Sequence, residues 1–130
     1  MNEKTWLAVK TRSESTRVEL SDVLVIERRA RKIFVATTDR LINYYDQLRN
    51  IKPLLGDNFF EVYSGCLINL DRLDSAKEGI LYFDNGYELP LSERSFVRAK
   101  QKHYAYYRVK QLRDVKDIKA AREVDEPEDY

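Results

Sequence analysis

Residues 56–94, "GDNFFEVYSGCLINLDRLDSAKEGILYFDNGYELPLSER", decide the fold. Short apolar runs, FFEVY, CLINL and ILYF, are separated by polar and glycine-bearing stretches, which is the punctuation of a β-meander. Asp84-Asn85-Gly86 falls between ILYF and YELPL, and an Asn-Gly pair, which tolerates positive φ, is a strong hairpin signal. No Gly-rich phosphate cradle, paired carboxylates or nucleophile with a base at motif spacing accompanies these strands. The stretch reads as a sheet that presents a surface, and enzyme classes are not expected.

Upstream the β pattern continues. WLAVKT and TRVELSDVLVIER place Val18, Leu20, Val23 and Val25 in short β-favouring runs. The segment RRARK (28–32) joins VLVIE to KIFVATT as a hairpin connection would, and it crowds four cations into five residues. In RLINYYDQLRNIKPLL (40–55), Leu41, Tyr44, Tyr45, Leu48 and Ile51 fall at helical spacing before Pro53, which predicts a short amphipathic helix. A second helix is expected from Ser92 onward, with Ser92 as N-cap and Glu93 in the first turn, where a carboxylate suits the helix dipole. Its expected core-facing residues are Phe96, Val97 and Tyr104, and Val109, Leu112, Val115 and Ile118 extend a drifting apolar stripe. The fold class is therefore mostly β, a small antiparallel β-sheet or sandwich with one short internal helix and a long C-terminal helix.

At 130 residues with 43% hydrophobic content, the chain suits one domain with a modest core. No apolar run approaches the roughly 20 residues that span a bilayer, and the amino terminus lacks a signal-peptide core, so a cytoplasmic, non-membrane location is expected. Cys66 is the single cysteine and His103 the single histidine, which leaves no disulfide framework and no Cys/His metal cluster. Neither metal nor cofactor is expected. Cys66 reads as sheet packing, and His103 as a partly exposed helix residue.

Charge is unevenly spread. Residues 1–93 hold 13 Lys/Arg against 15 Asp/Glu, a net of −2, whereas residues 94–122 hold 10 against 2, a net of +8. Residues 123–130, EVDEPEDY, carry five acids and no base. The chain divides into a near-neutral body, a basic arm and an acidic tip with the composition of a disordered segment.

FFEVYSGCLINLDRL followed by YELPLSERSF, and preceded by LSDVLVIER and LINYYDQLRNIKPLL, resembles the LytTR DNA-binding domain of bacterial response regulators over roughly residues 8–104. The resemblance implies a compact, mostly β domain that presents three connecting segments to the major groove of double-stranded DNA. The first is the loop with Arg28, Arg29, Arg31 and Lys32, whose side chains can neutralise phosphates or reach guanine edges, or can simply be a solvated hairpin tip. In the second, the family's usual His, Arg and Ser are here Tyr63, Ser64 and Gly65, and its usual arginine two places before the histidine is Glu61. Ser64 can still donate to a phosphate and Tyr63 can donate or make apolar contacts, unless both are ordinary strand-end residues. The third keeps a cation at Arg94, where the family places an arginine for DNA contact. A cation near a helix N-terminus is disfavoured by about a few tenths of a kcal/mol or more, so either DNA or a salt bridge to Glu93 or Glu88 is expected to hold it. Asn69 stands at the family's usual asparagine and reads as structural.

These readings expect a DNA-binding domain over 1–104, a basic helical extension over 105–122 and an acidic tail over 123–130. The expected function is a sequence-specific transcriptional regulator. The alternative is a LytTR-like protein-interaction module that has lost base readout, given Glu61, Tyr63, Ser64 and Gly65. Expected partners are double-stranded DNA and, through the extension, a second copy or a regulatory protein. If the 130 residues are the whole chain, no receiver domain precedes them and aspartyl phosphate in cis does not switch the protein.

Overall fold

The computed structural model describes residues 5–122, with side chains as far as Lys116. Strands follow the β-branched and aromatic runs: β1 (Trp6–Lys10), β2 (Ser15–Glu19), β3 (Val23–Arg29), β4 (Lys32–Thr37) and β5 (Leu41–Tyr45). After a single helical turn, α1 (Leu48–Ile51), come β6 (Phe59–Tyr63), β7 (Cys66–Asn69), β8 (Leu73–Lys77), β9 (Ile80–Phe83), β10 (Glu88–Pro90) and the long α2 (Glu93–Arg122). All pairings are antiparallel. A five-stranded sheet, ordered β5-β4-β3-β7-β6, lies between the β1-β2 ribbon on one face and the three-stranded β10-β9-β8 sheet with α2 on the other.

The middle strands β3 and β7 are buried on both faces, which is why they read as near-continuous apolar runs. Towards the ribbon, Leu7, Val9 and Val18 meet Ile26, Ile33, Val35, Ile42 and Leu67. Towards α2, Val25, Cys66 and Ile68 meet Leu73, Leu81, Phe83 and Ala99. A register irregularity between Val23 and Val25 sends Leu24 and Val25 to the same core, so all of Val23–Ile26 is buried. Asn69 closes the end of β7 as the sequence suggested. It is fully buried, its Nδ2 donates to Val23 O at 2.8 Å, and its Oδ1 accepts from Asn58 Nδ2 and the Asp71 amide. Cys66 is buried packing, and burial pushes its thiol up to about 12.

Two expectations change. The helix expected over 40–55 is mostly a strand: β5 pairs with β4, followed by the one-turn α1 and a 3-10 turn, Lys52–Leu54, that contains Pro53. LINYY alternates, with Ile42 and Tyr44 buried while Leu41 and Tyr45 remain 74% and 73% exposed. Pairing with β4 and burial of the period-two face outweigh the helical spacing.

The long helix begins as expected, with Ser92 Oγ accepting from the Ser95 amide at 3.2 Å. Its buried stripe, however, is Ser95 and Ala99, continued by half-buried His103, Tyr106 and Tyr107. Phe96 packs partly against the core, whereas Val97 and Tyr104 face solvent, as do Val109, Leu112 and Val115. Small residues sit where the helix crosses the sheet, because they let the backbones approach. The helix runs without a break through the expected 104/105 boundary. The Ile118 side chain and the acidic segment 123–130 lie outside the described residues. No helix among those described is long and apolar enough to cross a membrane.

Candidate nucleic-acid interface

β3 and β4 meet through Ala30 and Arg31, with Arg29 paired to Lys32. Ala30 takes φ 58°, a left-handed conformation that costs a residue with a side chain roughly 1–2 kcal/mol. Alternation then sorts the cations. Arg29 lies on the face that carries Glu27: its Nε and Nη2 donate to Glu27 Oε1 at 3.1 and 2.9 Å, and its guanidinium sits 4.4 Å from the Phe34 ring centroid. Lys32 Nζ donates to Asn43 Oδ1 at 3.2 Å and lies over the Tyr45 ring. Arg28 and Arg31 are exposed, and their side chains make neither a hydrogen bond nor an ion pair among the described residues.

The β6-β7 turn lies directly beside them. Its Gly65 carbonyl accepts from the Arg28 amide at 2.8 Å. Gly65 takes φ +85°, and a Cβ there would come within 3.2 Å of the Arg28 guanidinium, so glycine serves both the turn and the close approach. Glu61, the acid that replaces the family's arginine, is occupied. Its Oε2 accepts from the Gly65 amide at 2.9 Å and its Oε1 from Lys52 Nζ at 3.0 Å. Those two bonds, the Gly65 amide first, hold its carboxyl below the usual range. Tyr63 turns to the other face and donates its hydroxyl to Glu27 Oε2 at 2.6 Å. Burial first, and that bond second, raise its phenol well above its ordinary value. Ser64, at the apex, is exposed.

The third segment reaches the same end because α2 runs antiparallel to β6. Arg98 Nη1 donates to Val62 O at 2.7 Å, and Lys102 lies over the Phe60 ring one turn later. Further along, Tyr106 donates to Asp71 at 2.6 Å and Tyr107 to Leu70 O at 2.6 Å. The first helical turn is thereby directed towards Tyr63–Gly65. Arg94, on that turn, is exposed and makes no hydrogen bond or ion pair with Glu93, Glu88 or any other described residue.

Three exposed arginines, Arg28, Arg31 and Arg94, thus make no ion pair where three connections converge, although the charge of Arg28 also helps to hold the Glu61 carboxyl low. At the far end of the sheet Arg40 pairs with Glu14 and Arg72 reaches both Asp22 and Asp84, while Arg12 is exposed without an ion pair among the described residues. Among the described residues no group of histidine, cysteine and carboxylate side chains could hold a metal ion.

Residues 13–103 match the family model of the LytTr DNA-binding domain. The chain belongs to the LytTR family. The family is a DNA-binding domain rather than a catalytic one, and DNA is its partner. Among solved structures, this LytTR chain is similar to a LytTr DNA-binding domain from Bacillus cereus, at 21% identity and a TM-score of 0.62, over 78% of this chain and 97% of that one. That likeness shows the LytTR fold. No curated protein matches the chain.

Of the residues singled out in sequence, the LytTR fold brings Arg28, Arg31, Ser64 and Arg94 to one end with their side chains exposed. It engages Arg29 and Tyr63 with Glu27, and Lys32 with Asn43. Sequence reasoning missed Glu27 as the residue that binds two of these segments together, and Arg98 as the clamp of α2 on β6. Nothing local marks either role. Arg49 was also missed. Its signal was the pair Leu48 and Ile51, which point inward and force Arg49 out beside the basic turn.

Proposed function

We propose that this LytTR domain is a sequence-specific transcriptional regulator that binds double-stranded DNA through the end formed by residues 28–32, 63–65 and 91–94, its connections facing the major groove. The observation that carries this reading is the gathering at one end of three exposed arginines that make no ion pair, Arg28, Arg31 and Arg94, each on a connection or its flank. Unneutralised guanidinium groups in proximity repel one another and gain from an anionic partner. Arg94 is the base-reading candidate, since its fork geometry matches the O6 and N7 acceptors of guanine. Arg28, Arg31 and Ser64 supply phosphate or base-edge contacts. Arg29, Lys32 and Tyr63 contribute chiefly by holding the two turns in place. The DNA-binding unit comprises residues 1–104, with the basic extension 105–122 available to a second copy or a regulatory protein, and the domain acts in the cytoplasm.

The test is a salt titration of duplex binding. Replacing Arg28 and Arg31 together with alanine leaves Tm nearly unchanged, since exposed charges add little to stability, while the salt slope falls by about 0.9 for each phosphate contact removed. An unaltered affinity and slope in that variant would remove the turn from the interface.

A further inference from the structure

We propose that the cleft between the β3-β4 turn and α1 is a phosphate-binding site, lined by Arg28, Arg31, Arg49 and Tyr45, and that Arg49 there grips the DNA backbone beside the groove. The proposal rests on the DNA-binding reading above and extends its footprint to an element that none of the three connecting segments includes.

The cleft is built by the chain leaving β5. Asp46 Oδ1 accepts from the Gln47 amide at 2.7 Å and from Asn50 Nδ2 at 3.0 Å, which starts the single turn of α1. Leu48 and Ile51 are buried, so helical spacing sends Arg49 and Asn50 outward. Asn50 is tied to Asp46, and the next cation, Lys52, is tied to Glu61. Arg49 has no hydrogen bond or ion pair among the described residues. It lines one open cleft of about 760 Å³ with Arg28, Arg31 and Tyr45, so three arginines face the same cleft. The acid lining the cleft is Asp46, whose Oδ1 already accepts from two N–H groups, and the nearby Glu61, whose charge couples to Arg28, is bonded to Lys52 and the Gly65 amide.

Mutual repulsion of three cations is relieved by one anion that accepts from several of them, and a phosphodiester matches the planar fork of arginine on two oxygens. The cleft runs from the turn residues Ala30 and Arg31 to α1, and Arg49 stands on its α1 side. The ligand of Arg49 is backbone phosphate, a contact that fixes the position of the protein on the duplex and carries no base information.

The experiment compares the full chain, Arg49→Ala, Arg49→Lys and the control Arg12→Ala on one labelled duplex across a salt series. Arg12 is an exposed arginine in the β1-β2 connection, whose neighbour Glu14 pairs with Arg40 at the opposite end. One lost phosphate contact lowers the slope of log K against log salt by about 0.9, so Arg49→Ala binds roughly eight-fold more weakly at 0.1 M salt and equally at 1 M. The loss is the same for preferred and scrambled duplexes, Arg49→Lys restores most of it, and Arg12→Ala is unchanged. An unchanged slope for Arg49→Ala, or an equal loss for Arg12→Ala, overturns the cleft assignment while leaving the DNA reading intact. Failure of the unmodified chain to bind any duplex would instead overturn the reading on which it rests.

Discussion

Tyr63 donates its hydroxyl to Glu27 at 2.6 Å across two neighbouring connections of the central sheet. The other oxygen of the same carboxylate holds Arg29. One acid thus fixes the β6-β7 turn and the root of the β3-β4 turn relative to each other, so the spacing between the two is set by bonded side chains and does not depend on DNA being present. Preorganisation of this kind lowers the ordering cost of binding.

Tyr63→Phe removes one hydrogen bond to a charged group, which contributes about 1.5–3 kcal/mol when well formed and less at this partly exposed position. The expected result is a drop of about 1 kcal/mol in unfolding free energy by urea titration, with an unchanged m-value. Affinity for DNA should fall modestly and alike for all sequences. A change in base preference without a change in stability would mark Tyr63 as a direct reader.

Glu61 gives a pH signature. Its carboxyl sits below its ordinary value because the Gly65 amide and Lys52 favour the charged form. The stabilisation is therefore fully present above the unfolded-state value and is lost as the pH falls through the lower folded-state value. Glu61→Gln should be less stable than the unmodified chain at pH 7, and the gap between their urea midpoints should close towards about pH 3. A gap that stays constant over that range would show that the carboxylate does not hold the turn.

Asn69 joins β3, β7 and the segment before β6 through three hydrogen bonds from a fully buried amide. Asn69→Ala strands Val23 O, Asn58 Nδ2 and the Asp71 amide, and is expected to cost about 2–4 kcal/mol. Thermal and urea unfolding measure this directly. A loss below about 0.5 kcal/mol would mean that water replaces the amide without penalty.

Much of the fold could be read in advance, and the failures have physical reasons. The FFEVY, CLINL and ILYF runs are strands, Asp84–Gly86 turns β9 into β10, and Ser92 caps α2. LINYY satisfied two periods at once. Leu41 and Tyr45 suggested a helix face, but the partner strand that selects Ile42 and Tyr44 for burial becomes visible only when β4 is placed beside it. On α2 the buried stripe uses Ser95 and Ala99, which a search for large apolar residues passes over. The basic segments of the candidate interface were legible as charge runs, whereas which cations are paired was not. Tyr63 and Glu27 are 36 residues apart, and local spacing carries no record of a bond at that separation.

That Arg28, Arg31, Ser64 and Arg94 form a DNA-binding end at which Arg94 reads a base is tested most directly by selecting bound duplexes from a random pool with the unmodified chain and with Arg94→Ala. The unmodified chain should enrich one motif. Arg94→Ala should lose preference at a single guanine position of that motif, with a cost of about 1–3 kcal/mol on the preferred duplex. A pool that shows no enrichment, or an Arg94→Ala selection that returns the identical motif at equal affinity, would contradict it.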